Sequence, residues 1–180
     1  MIRKYVDNIA CEKAIQGICK GDCNALSVIY DIMHRPVYSL ALSICQNKHD
    51  AEDALQNTLC EIVKNASNYK SGNARAWILG IARNCSLRIV SKQKNHLDIE
   101  EIANSMEISS PKDALIEYYA LFDAMSQLSE DEREIVVMKA VAGLTHKEIS
   151  SIFGLSVDSC KRTYYRALKQ LKSYFNSRSD

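Results

Sequence analysis

The sequence predicts an all-α protein of two small helical domains joined by an acidic linker, the C-terminal one containing a helix-turn-helix. Three observations carry this expectation. Only two prolines and six glycines occur in 180 residues, among a wealth of Leu, Ile, Ala, Lys and Glu that favours helices. Apolar residues recur at helical spacing in successive segments. Charge is segregated even though the formal net charge is only +1. Residues 70–95 carry Lys70, Arg75, Arg83, Arg88, Lys92 and Lys94 and no acid. Residues 157–178 carry Lys161, Arg162, Arg166, Lys169, Lys172 and Arg178 against Asp158 alone. Between them, residues 96–117 carry Asp98, Glu100, Glu101, Glu107, Asp113 and Glu117 against Lys112. Two basic surfaces separated by an acidic connector point to two contacts with a polyanion.

A first helix is predicted from about Asp7 to Lys20, with Ala10, Ala14, Ile15 and Ile18 inward and Gly21-Asp22 breaking it. The second runs through Leu26, Ile29, Tyr30 and Met33, then Val37, Leu40, Ala41 and Ile44. Pro36 removes a backbone donor within it and is expected to kink it. After a polar turn at Gln46–His49, Asp50 is expected to cap a third helix reaching about Ala66. Leu55, Leu59, Ile62 and Ala66 fall on its core face, leaving Glu52, Asp53, Gln56 and Asn57 outside. Acids near a helix N-terminus explain Asp53, but not a face that mixes acids and amides without a lysine until Lys64.

A turn-rich loop, Asn68 to Asn73, precedes a fourth helix from Ala74 towards Lys94. Ala74, Ile78, Ile81, Cys85 and Ile89 form its buried stripe, with Arg75, Arg83, Arg88, Lys92 and Lys94 outside. Trp77 lies beside the stripe and reads as core. With Tyr69 and Asn84 nearby, the basic face also suits a groove where bases stack and phosphates are neutralised. Ser109-Ser110-Pro111 interrupts the acidic connector, with Ser110 as a cap and Pro111 at the first helical position. Tyr118, Leu121, Phe122, Met125 and Leu128 begin a new core. Ser129 with Glu132 then caps a helix that buries Ile135, Val136 and Met138.

The last third holds the clearest signal. Thr145 and Glu148 form a capping box, and Leu144 at N′ can staple onto Ile149. Ile149, Ile152 and Phe153 give this short helix one apolar face. Gly154 stops it, and Ser156 caps the next. Val157, Cys160, Tyr164, Leu168 and Leu171 form the inner stripe of that second helix, with Lys161, Arg162, Tyr165, Arg166, Lys169 and Lys172 outside. A short helix, a glycine turn and a helix with a basic outer face describe a helix-turn-helix whose second helix enters the DNA major groove. An amphipathic helix whose basic face is merely solvated is the plainer reading of the same pattern.

No stretch approaches the length of a membrane span, and the N-terminus lacks a signal-peptide pattern, so a cytoplasmic protein is expected. Seven cysteines form no Cys-x-x-Cys. Most fall on apolar helix faces, which fits small buried thiols in a reducing compartment. Cys19-x-x-x-Cys23 with His34 lacks the second ligand pair of a zinc site, so neither metal nor cofactor is expected. An enzyme using Cys and His would need a nucleophile elbow, a phosphate-cradling glycine loop or a paired metal motif, none of which is present.

Asp50-Ala-Glu-Asp-Ala-Leu-Gln-Asn57, Ala76-Trp-Ile-Leu-Gly-Ile-Ala-Arg-Asn84 and Leu128-Ser-Glu-Asp-Glu-Arg133 ahead of the helix-turn-helix resemble, in order and spacing, a bacterial RNA polymerase sigma factor of the extracytoplasmic-function (ECF) subfamily. The resemblance implies a region 2 domain over residues 1–95, a linker over 96–112 and a region 4 domain over 113–180. It implies that Asp53, Gln56 and Asn57 dock on the clamp helices of the polymerase's largest subunit, Asn57 standing where the family more often has an acid. Ser71, Asn73, Arg75, Asn84, Arg88 and Lys92 would read and help melt the −10 element, with a non-template base flipped into a pocket. Ser159, Lys161, Arg162, Tyr165, Arg166 and Lys169 would read the −35 element. Further implied partners are the flap of the second-largest subunit, promoter DNA and an anti-sigma factor; no catalysis is implied.

The sequence departs from the family pattern at Arg88, where an acid is usual, at Ser91-Lys92 in place of paired arginines, and at Asp158-Ser-Cys-Lys-Arg-Thr163. These departures bear on which promoter is read. The rival reading is an ordinary helix-turn-helix regulator that binds operators without polymerase. It leaves the Asp53/Gln56 face and the basic Trp77 helix without a task.

Overall fold

A computed structural model describes residues 2–22, 24–94 and 121–177. The acidic connector, the Ser110-Pro111 start, Tyr118, Cys23 and Arg178 lie outside the described residues. Among those described there is no β-strand, and helices account for nearly every element.

Helix α1 (Ile2–Cys19) begins earlier than its apolar spacing suggested and buries Cys11, Ala14 and Ile15. It ends at Gly21, whose φ of +83° suits glycine. Helix α2 (Ala25–Cys45) continues through Pro36 and buries Ile29, Met33, Val37 and Leu40. Tyr30, on the same helix, is 45% exposed.

Helix α3 (Lys48–Asn65) is capped by Asn47, not Asp50. Gln46 closes α2 in the left-handed conformation at φ 56°. Asn47 is thereby left extended, and its side chain accepts from His49 N at 2.8 Å and Asp50 N at 3.2 Å. Asp50 falls in the first turn, where a carboxylate still favours the helix N-terminus. Core positions on α3 are Ala51, Ala54, Thr58 and Ile62, whereas Leu55 and Leu59 are half-buried.

A short 3₁₀ turn (Ala66–Asn68) and a loop closed by Tyr69 Oη donating to Gly72 O at 2.9 Å lead into α4 (Ala74–Lys94). This helix is buried on two sides. Ala74, Ile78 and Cys85 are buried as expected, joined by Leu79, Ala82 and Ser86, while Ile81 and Ile89 are half-buried. The second buried side arises because α4 lies between α2 and α3, with α1 and α7 touching it more lightly.

Helix α5 (residues 121–126) leads to α6 (Glu130–Ala140), which opens with the expected Ser129/Glu132 capping box. Ile135, Val136, Val137 and Met138 are consecutive and all buried, so the middle of α6 is enclosed on most of its circumference while Glu130, Asp131 and Ala140 at its ends are exposed. It packs against α2 on one flank and against α8 (Val157–Asn176) on another, with α7 (His146–Phe153) alongside. One apolar core runs from Ile29, Leu40, Ile78 and Leu79 into Ile135, Met138, Leu144 and Ile149. A smaller cluster of Leu128, Val136 and Ala167 ties α6 to α8. Each large side chain removed from water here contributes on the order of 1.5–3 kcal/mol.

Candidate nucleic-acid and partner interfaces

The α7–α8 pair is built by local chemistry. Thr145 Oγ1 accepts from Glu148 N at 3.3 Å, and Glu148 Oε2 accepts from Thr145 N at 2.7 Å. Leu144 and Ile149, the expected staple, are both buried. Gly154 takes φ 66°, and Ser156 Oγ accepts from Ser159 N at 3.1 Å to start α8. Cys160 and Ala167 anchor α8, while Leu168, expected inward, is 37% exposed. Ala167 sits one position closer to α6, and a small side chain there lets the helices approach.

The outer face of α8 presents Lys161, Arg162, Tyr165, Arg166 and Lys169 to solvent, with Ser159 half-buried. Tyr165 is 62% exposed and forms a ring cluster with Tyr164 and His146. Burial, with Lys139 and Lys161 nearby, pushes His146 below its ordinary value and so disfavours the charged imidazolium. Lys161 lies 3.8 Å from Asp158. Arg166 donates from Nε to Glu132 Oε1 at 2.6 Å. That guanidinium therefore also steadies a buried carboxylate, a task not visible in the sequence.

A groove of about 600 Å³ separates α3 from α4, lined by Asn65, Asn68, Trp77, Asn84, Arg88 and Ser91 among others. Trp77 is half-buried and packs on Tyr69 at 5.3 Å, so it serves both the core and the groove wall. A neighbouring groove between α4 and α7 shares Trp77, Ile81 and Asn84 and adds Asn73 and Glu148. Asn84 and Trp77 thus stand on the ridge between two concavities. Ser71, Asn84, Arg88 and Lys92 are exposed, and Arg88 donates to Cys85 Sγ at 3.2 Å. This combination of an aromatic wall, amides and unburied cations can stack a base and neutralise a phosphate.

Two basic residues of α4 are not where the sequence put them. Arg75 is 7% exposed and donates from Nη2 to Ala142 O at 2.7 Å. Arg83 donates to Glu134 Oε2 at 2.6 Å and lies 4.3 Å over the Phe153 ring. Both correct the expectation of a wholly solvated basic face. Asn73 is also engaged: Oδ1 accepts from Ala76 N at 3.0 Å and Nδ2 donates to Glu148 Oε1 at 2.5 Å.

Asp53, Gln56 and Asn57 are all exposed on α3. Gln56 faces a groove shared with Tyr30, His34, Arg35 and Tyr38 of α2, whereas Asn57 faces Arg88 and Lys92 of α4. Sequence reading missed the α2 side of this surface. Its signal was the Tyr30/His34 spacing of one helical turn, seen here as stacked rings 5.1 Å apart.

No group of three or more potential metal ligands occurs among the described residues. Burial pushes the Cys11 and Cys45 thiols up to about 11, a state unsuited to nucleophilic or ligand chemistry. No helix among the described residues is long and apolar enough to cross a membrane.

Residues 29–96 match the family description Sigma-70 region 2, and residues 118–171 match Sigma-70, region 4. The sequence is 29% identical over 152 residues to the ECF RNA polymerase sigma factor SigM of Bacillus subtilis (strain 168), spanning 82% of this chain and 93% of that protein. In fold it is similar to CnrH, solved in complex with the cytosolic domain of CnrY, at a TM-score of 0.73 and 18% identity over 93% of this chain and 98% of that one. The sigma factor RpoE, solved with the anti-sigma factor NepR from Bartonella quintana, gives a TM-score of 0.69 at 20% identity over 85% and 98%.

Proposed function

This chain belongs to the sigma-70 family as an ECF RNA polymerase sigma factor, and from that premise we propose how its surfaces divide the work of promoter recognition. It binds core RNA polymerase and directs promoter-specific transcription initiation through −35 and −10 elements. The observation that carries the reading is the succession on one chain of a region 2 unit bearing the α3–α4 groove and a region 4 helix-turn-helix.

In this reading residues 1–95 form the polymerase-binding and −10 domain, 96–112 the linker and 113–180 the −35 domain. Asp53 and Gln56, with Asn57 beside them, dock on the clamp helices of the largest subunit, and the exposed edge of α2 around Tyr30 and His34 extends that surface. The α8 face enters the major groove. Lys161, Arg162, Tyr165 and Arg166 meet base edges or phosphates there, and Ser159 and Lys169 flank them. At the −10 element the cost of flipping a base is a few kcal/mol. Stacking on Trp77 and hydrogen bonds from Asn84 offset it, while Ser71, Arg88 and Lys92 hold the strand. Asn73 and Arg75 join that surface once released from α6–α7. The chain carries out no bond-making itself and works in the cytoplasm beside the polymerase. An anti-sigma partner is supported by the company in which similar folds have been seen.

Run-off transcription with core polymerase on a promoter-fragment library tests this reading. Specific transcripts should appear only when the protein is added. If none appears, yet the protein alone shifts particular duplexes, it is an ordinary operator-binding regulator.

A further inference from the structure

The first turn of α7 and the outer face of α8 meet in a cluster of three rings. Thr145 caps α7 and closes a capping box with Glu148, which fixes His146 as the first helical residue. The His146 ring lies 5.3 Å from Tyr164, edge to face, and 6.2 Å from Tyr165 at an angle of 38°. Tyr164 and Tyr165 meet edge-on at 5.5 Å. The three are not equally held. Tyr164 packs against both apolar clusters, the one running through Ile149 and Cys160 and the one around Ala167. His146 is half-buried, whereas Tyr165 is 62% exposed. The ring that faces outward is thus walled by two rings that the fold holds. His146 contributes as a flat plate more than as a polar group. Its Nε2 is buried with no hydrogen-bond partner among the described residues, and burial, Lys139 and Lys161 all disfavour its charged form. A buried nitrogen without a partner costs stability, so a phenyl ring would fill the same place without that cost.

We propose that His146 is a positioning residue of −35 readout, its ring holding Tyr165 in one orientation on α8 before DNA arrives. The inference rests on reading α7–α8 as the −35 helix-turn-helix. Tyrosine offers a base pair an apolar ring edge and a hydroxyl that both donates and accepts. Ordering an exposed side chain on binding costs free energy that a side chain already held does not lose. Bracing Tyr165 in the free protein lowers that cost, and it limits which base pair the ring can reach. His146 acts through Tyr165 and not on the DNA. Arg162 is no part of the ring cluster, so its own readout is independent of His146.

The test uses holoenzyme assembled from core polymerase and the full chain, on a promoter taken from the run-off library. Single base-pair changes through its −35 element give the discrimination at each position as a ratio of transcript yields. Tyr165→Ala identifies the positions that Tyr165 reads. At those positions His146→Ala should lower discrimination about fivefold, or about 1 kcal/mol. His146→Phe should keep it within about twofold, or about 0.4 kcal/mol. Adding His146→Ala to Tyr165→Ala should cause no further loss, whereas its effect should add to that of Arg162→Ala. Discrimination at the −10 element should not move in any of these variants. Four outcomes overturn the proposal: no position lost with Tyr165→Ala, an equal loss with His146→Ala at every −35 position, a loss with phenylalanine as large as with alanine, or additive losses for His146 and Tyr165. Should His146→Ala melt well below wild type, His146→Leu, which fills the space without a flat ring, is judged in its place. If wild type gives no transcript with core polymerase, the sigma-factor reading falls. The ratios are then taken from the affinity of the full chain for the duplexes it shifts alone, and the same outcomes decide; a chain that shifts no duplex overturns both.

Discussion

Arg75 shows how far a residue's neighbours can override its type. Its guanidinium is enclosed, bonded to a carbonyl sixty-seven positions away, and its Nε has no partner among the described residues. Arg75→Ala removes a charged hydrogen bond and leaves the Ala142 carbonyl unsatisfied, so unfolding by urea should reveal a loss of about 2–3 kcal/mol. The same change in a solvated arginine would cost less than about 0.5 kcal/mol, which makes the measurement decisive for burial. Gly154 makes the opposite case. A Cβ there would meet nothing within 4 Å, yet φ is +66°. Gly154→Ala should therefore destabilise the fold through backbone strain alone, by about 1–2 kcal/mol, seen as a lower melting temperature. Its legibility was complete, because a glycine between two capped helices is a local signal.

At the scale of the element, helices α3 and α8 each carry one face for the fold and one for a partner. Among the described residues the exposed trio on α3 makes no side-chain hydrogen bond or ion pair, so Asp53→Ala with Gln56→Ala should leave thermal stability unchanged. It should weaken competition with another sigma factor for core polymerase. Unchanged competition would remove this face from the polymerase contact. On α8, Arg162 is exposed, whereas Arg166 also pairs with Glu132, a side chain only 4% exposed. Arg162→Ala should cost about 1–3 kcal/mol of −35 binding with no change in stability if it reads a base. Arg166→Ala should lower both, since it strands a buried carboxylate. Caps and turns of these elements were legible because each bond spans three or four residues. The Asp50 expectation failed for an equally local reason: Gln46 took the left-handed residue, and Asn47 became the first position able to cap.

For the whole molecule, acid should act through Glu132 and Glu148 with one sign and through Glu134 with the other. Burial raises Glu148, but the Thr145 backbone amide and the Asn73 side chain outweigh it and hold its carboxyl below the ordinary 4.5. Glu132 is likewise lowered, with Arg166 and Ser129 outweighing burial. A depressed folded-state value contributes stability that is present above 4.5 and lost as pH falls through the lowered value. Glu134 is the reverse, since burial outweighs Arg83 and raises it; the folded state takes its proton first, and falling pH relieves a buried charge. Melting temperature should fall between pH 6 and pH 3, and Glu148→Gln should flatten part of that fall; an unshifted profile would deny the Asn73 contact in solution. The sequence by itself determined the all-α class, the helix-turn-helix, most caps and the exposed faces of α3 and α8. Those rest on interactions within one or two helical turns, which spacing records directly. Only the tertiary structure decided the fates of Arg75, Arg83, Glu134 and Glu148. Their partners lie 51 to 75 positions away, and a one-dimensional pattern of charge cannot say which cation meets which acid once two domains share a core.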